Sequence, residues 1–76
     1  MPETERETKR EAFLRLAQKR TESVLNRIRI LSNCANPYAY EYEDADVRKI
    51  FEAIEDELTV AQSRFERYRR REFRLS

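Results

Sequence analysis

The chain has no glycine, no histidine and no tryptophan, and only one cysteine and one methionine. Without glycine there is no P-loop, no dinucleotide-binding fingerprint and no EF-hand loop, because each needs backbone conformations that a Cβ atom obstructs. Without histidine the commonest general base and the commonest metal ligand are both missing. A single cysteine then cannot build a zinc site, and the Glu-x-x-His pairs of a di-iron bundle are absent too. Cys34 has no partner for an internal disulfide, which suits a reducing cytoplasm, and no adjacent lysine or arginine in sequence to activate its thiol. It reads as a small buried filler. No run of about 18 apolar residues exists to span a bilayer, and the start, MPETERETKREAF, is too charged for a secretory signal. Two helices alone would offer little concave pocket. The expectation is a non-enzymatic cytoplasmic protein with no cofactor, no metal and no membrane partner.

What remains is a 76-residue chain in which charged residues make up 41% and apolar residues 39%, at a net charge of +1. That is too apolar for a disordered polyelectrolyte and too nearly neutral for a global field that attracts nucleic acid. The apolar residues are periodic. Leu14, Ala17, Thr21, Val24, Ile28 and Leu31 recur at alternating steps of three and four, and so do Val47, Phe51, Ile54, Leu58, Ala61, Phe65 and Tyr68. Both runs are heptad stripes and predict helices.

Pro2, with Glu3, Glu5 and Glu7, suits the positive end of a helix dipole and predicts a start near residue 3. Asn33 is expected to end this helix in the left-handed conformation, and Pro37 bars continuation through Asn36. Glu43 or Asp44 can cap the second helix, with Asp46 in its first turn. The predicted fold is all-α: two long antiparallel helices, about 3–32 and 44–73, joined by a tyrosine-rich loop in a single domain, 1–76, with frayed ends at 1–11 and 70–76.

Antiparallel pairing would bring Leu31 near Val47, Ile28 near Phe51, Val24 near Ile54, Thr21 near Leu58 and Ala17 near Ala61. Phe13 or Leu14 would then lie near Phe65. Beyond that the match fails, since residues 3–11 hold no apolar side chain to oppose Tyr68, Phe73 and Leu75. Ordering costs roughly 1.5 kcal/mol per residue, while a buried Leu, Ile or Phe returns only about 1.5–3 kcal/mol. A lone hairpin leaves one side of each stripe wet, so two hairpins are expected to form a homodimeric four-helix bundle. The alternative is a monomer that stays helical only on a larger partner protein.

Charge is unevenly placed. Residues 38–57 hold eight acids against Arg48 and Lys49, a net of −6, whereas residues 64–76 hold six arginines against Glu66 and Glu72, a net of +4. Arg67, Arg70, Arg71 and Arg74 lie three or four apart among aromatic residues, a mixture that grips phosphate and stacks on bases. They are candidate nucleic-acid contacts, although arginines at a helix C-terminus also serve the dipole. The acids Glu41, Glu43, Asp44 and Asp46 read as a solvated helix start rather than a cation site. Tyr38, Tyr40 and Tyr42 alternate, so an extended segment would present all three on one side. They are candidate protein-recognition residues together with Phe73 and Leu75. The structural alternative has their rings folded over the helix ends, shielding Leu31 and Val47, with hydroxyls reaching Asn33 or Asn36.

Residues 19–65, with RIRILSNCANPYAYEY followed by an acid-rich cap and DVRKIFEAIEDEL, resemble a group of small uncharacterised helical-hairpin proteins encoded on bacterial plasmids, phages and integrative elements. The resemblance implies a bacterial intracellular setting and carries no catalytic residue over. Two functions follow from the residues: a homo-oligomeric protein-interaction module, or a dimeric nucleic-acid-binding regulator using the arginine-rich end.

Overall fold

The computed structural model describes the backbone of residues 6–75 and the side chains of residues 6–69. Among these the chain is all-α, with helix α1 over Lys9–Ser32, a 3-10 turn over Asn33–Ala35 and helix α2 over Asp44–Leu75. It divides into two units, Met1–Tyr40 and Glu41–Ser76, each built on one of the helices. Two helices and no strand are what the heptad stripes predict, and three of the four helix ends fall within two residues of expectation.

The fourth end differs. Residues 6–8 are not helical, and α1 begins six residues later than the acidic run suggests. The cause is a capping box. Thr8 Oγ1 accepts from the Glu11 backbone N–H at 3.0 Å, and Glu11 Oε1 accepts from the Thr8 N–H at 2.9 Å. Thr8 is extended, with φ −73° and ψ 165°. Two donors that a helix start leaves unpaired are thus satisfied reciprocally. Glu7 is drawn back over the first turns by Arg15, whose Nε and Nη2 donate to its two carboxylate oxygens at 2.6 and 2.7 Å. Arg10 also lies over the Phe13 ring, 5.9 Å from its centroid. The capping Thr8 beats the dipole preference of the acids before it because a made hydrogen bond outweighs a screened charge at an exposed helix end.

The other end of α1 closes without any left-handed residue. Asn33 is right-handed, with φ −65° and ψ −20°, and its N–H donates to the carbonyls of Ile30 and Leu31. No non-glycine residue has positive φ among the described residues. The expected left-handed Asn33 is therefore corrected: the helix tightens into a 3-10 turn, which uses up its last carbonyls at no steric cost. The chain leaves the helical region only at Asn36, with φ −68° and ψ 108°, the conformation that the following proline ring demands.

Helix α2 opens at Glu43. Its carbonyl accepts from the N–H groups of Asp46 and Val47, and its own N–H donates to Asp46 Oδ2 at 2.9 Å. Along the face away from the stripe, Thr59 and Ser63 hydroxyls donate to the carbonyls one turn back, at 3.1 and 2.9 Å.

No described residue of either unit is buried. Leu16, Ala17, Leu31, Val47 and Ile54 are half-buried, and the other stripe residues are exposed. Each unit contains one long helix, and a helix does not cover its own stripe.

Two measurements test the start of α1. Thr8→Ala should destabilise its first turn by about 1 kcal/mol, seen as faster amide exchange at Glu11 and Ala12 while the middle of the helix is unchanged. The hydrogen bonds from Arg15 hold the Glu7 carboxyl below its ordinary value. The contact should therefore be fully formed above the usual carboxylate range and be lost as pH falls through the depressed Glu7 value. In Arg15→Ala, carboxyl NMR should show Glu7 titrating upward, at an ordinary position.

Candidate functional site

The residues between the helices form a defined turn. Asn36 Oδ1 accepts from the Tyr38 N–H at 3.0 Å, and the Asn36 carbonyl accepts from the N–H groups of Ala39 and Tyr40 at 3.2 and 3.0 Å. Pro37 supplies the second position of this turn with the φ it needs. The Asn-Pro step therefore reverses the backbone and locks the reversal with a side-chain hydrogen bond.

This geometry corrects the expected extended alternation at Tyr38. Residues 37–39 form a turn, so Tyr38 does not continue an extended segment and the alternation does not set its direction. Tyr38 is 98% exposed, so its ring does not fold over the end of α1. Asn36 gives its side-chain oxygen to the Tyr38 backbone amide. Tyr40 and Tyr42 are exposed to a lesser degree. The unit boundary falls between Tyr40 and Glu41, so Tyr38 and Tyr40 belong to the first unit and Tyr42 to the second. Cys34, expected as buried filler, is exposed in the 3-10 turn.

Most of the acidic residues after the turn are engaged with the start of α2 or face solvent. Among the described residues no group of three or more cysteine, aspartate and glutamate side chains is arranged to hold a metal ion. No described helix is long and apolar enough to cross a membrane.

Of the four candidate arginines, Arg67 is exposed on α2, and the side chains of Arg70, Arg71 and Arg74 lie outside the described residues, as do those of Phe73 and Leu75. Arg69, one residue before them, approaches Glu66 at 3.8 Å, one turn apart on the same helix.

The most extensive feature is apolar. On α1, Phe13, Leu14, Val24 and Ile28 remain exposed along the stripe, with Leu25 beside it and exposed Ile30 on the opposite face. On α2 the exposed residues are Phe51, Leu58, Phe65 and Tyr68, flanked by Ile50 and Val60. A shallow depression of about 370 Å3 lies on α2, lined by Glu57, Val60, Ala61, Arg64, Phe65 and Tyr68. Ala61 is the one small residue of this lining, set among two aromatic residues and Arg64. Sequence reasoning identified Ala61 and Phe65 as stripe residues but not the depression, whose signal is one small residue set among large ones at helical spacing.

No family model, curated protein or solved structure matches this chain. Its function has to be argued from the exposed stripes and the turn.

Replacing Asn36 with alanine should free the Tyr38 amide. Its exchange rate should rise about fivefold, the size of one net hydrogen bond, while the amides of Leu58 and Ala61 stay as they are.

Proposed function

We propose that this chain is a non-enzymatic helical interaction module that works by self-association, with its two apolar stripes as the working surface. The supporting observation is the exposure of both stripes. Apart from the tyrosines of the turn and the half-buried Leu16, Leu31, Val47 and Ile54, the large apolar side chains from Phe13 to Tyr68 are between 38% and 64% exposed. Contiguous apolar surface of this kind marks a site of protein association. Helical stability rests mainly on packing of such a face, and helices of 24 and 32 residues gain most of theirs by covering it.

Two layers of cover are available to this reading. The stripes of α1 and α2 share the same alternating steps of three and four, which suits an antiparallel hairpin with Thr21 and Ala17 keeping the helices close. A second copy then covers the outer sides, where Ile50 and Val60 extend the apolar face of α2. A four-helix homodimer satisfies both demands with one sequence. The Asn36-Pro37 turn supplies the chain reversal that such a hairpin requires.

Sedimentation of the purified chain tests the proposal. It should run as a dimer at micromolar concentration, with helicity and thermal midpoint rising with protein concentration. Ile54→Lys should shift it to monomer and lower helicity. A well-folded wild-type monomer whose midpoint ignores concentration would reject self-association.

A further inference from the structure

Charge runs along α2 as a gradient. Asp44, Asp46, Glu52, Glu55, Asp56 and Glu57 precede Leu58, and every arginine of the helix except Arg48 follows it. Two parallel copies of such a helix in register would set acid on acid and arginine on arginine. Two antiparallel copies set each acidic half against an arginine-rich half.

The depression on α2 refines this. Ala61, Arg64, Phe65 and Tyr68 occupy positions i, i+3, i+4 and i+7 of one helix face. Four residues at that spacing form the hole into which a side chain of a facing helix inserts in coiled-coil packing. We propose that a second copy of this chain occupies the depression, docking its own α2 antiparallel, with the partner's Ile54 inserted between Ala61, Arg64, Phe65 and Tyr68. This rests on the self-association reading and specifies its interface.

The register follows from the stripe. Seating Ile54 against Phe65 of the other copy also sets Leu58 against Ala61 and Phe51 against Tyr68, and two-fold symmetry repeats all three contacts. Large meets small at the centre, and aromatic meets aromatic toward the ends. Glu57 and Arg64 each precede a stripe residue by one position, so they flank the same edge of the stripe. In an antiparallel pair each edge faces its own copy, and this register brings Glu57 to Arg64 of the partner twice. Sliding by one heptad in one direction sets Glu57 against its own copy. Sliding in the other direction sets Arg64 against its own copy. The opposite edge carries Arg48, Glu55, Gln62 and Arg69. There Glu55 meets glutamine and Arg48 approaches Arg69, whose charge is partly answered by Glu66 on its own helix. The Glu57 edge therefore selects the register.

Glu57 and Arg64 are seven residues apart, too far to pair within one helix. Exchange between copies can therefore be read by mixing variants. Glu57→Arg alone and Arg64→Glu alone should each weaken self-association about tenfold or more at low ionic strength, since two attractive contacts become repulsive. High salt should narrow the difference. An equimolar mixture of the two variants should recover wild-type sedimentation and helicity as a heterodimer, because positions 57 and 64 then carry opposite charges in both contacts, reversed in one and native in the other. Native mass spectrometry on chains of distinguishable mass reads the heterodimer directly.

A wild-type dimer that is indifferent to both single substitutions, or variants that weaken without recovering on mixing, would overturn this register and leave self-association standing. Recovery only when both substitutions share one chain, with none on mixing, would likewise overturn it. A wild-type monomer would remove both readings.

Discussion

An apolar stripe on one face of a helix cannot be covered by that helix, and the physical character of this chain depends on that constraint. Both units present a stripe spaced in threes and fours, and neither buries a single described residue. Burial is worth about 25 cal/mol for each Å2 of apolar surface removed from water. The incentive to find cover is therefore large compared with that of any surface ion pair in the molecule. The proposed self-association rests on this arithmetic more directly than on any motif.

Polar chemistry in the chain is used mainly at helix ends. Thr8 with Glu11, Glu43 with Asp46, and Asn36 with the amides after it each pair a backbone group that would otherwise be left open. With no glycine available, the chain makes both the exit from α1 and the reversal after it from right-handed and extended residues. The 3-10 turn at Asn33–Ala35 and the Asn36-Pro37 step do jointly what a left-handed glycine does elsewhere. The side chains of Thr8, Glu11 and Asp46 are committed to the backbone in this way.

Charge serves orientation more than affinity. The acidic first half and arginine-rich second half of α2 contribute little as individual exposed pairs. Arranged as a gradient along an apolar stripe, however, they distinguish parallel from antiparallel neighbours and one register from the next. In the proposed dimer the stripe supplies the drive to associate, and Glu57 with Arg64 supplies the choice of arrangement.

The residue pattern by itself determined that the chain is helical, where the break between the helices lies and which residues form the two stripes. These depend on spacing and on local steric rules, which a linear string records in full. The start of α1 was also written there, in the Thr8-Lys9-Arg10-Glu11 spacing, but the acids at positions 3, 5 and 7 compete for the same role. Only the hydrogen bonds of Thr8, Glu11 and Arg15 settle which group acts. Three things came from the three-dimensional structure alone: the right-handed exit at Asn33, the exposure of Tyr38 and Cys34, and the depression over Ala61. Each depends on where a side chain stands relative to atoms several residues away, and alternation or periodicity along the chain does not encode that distance.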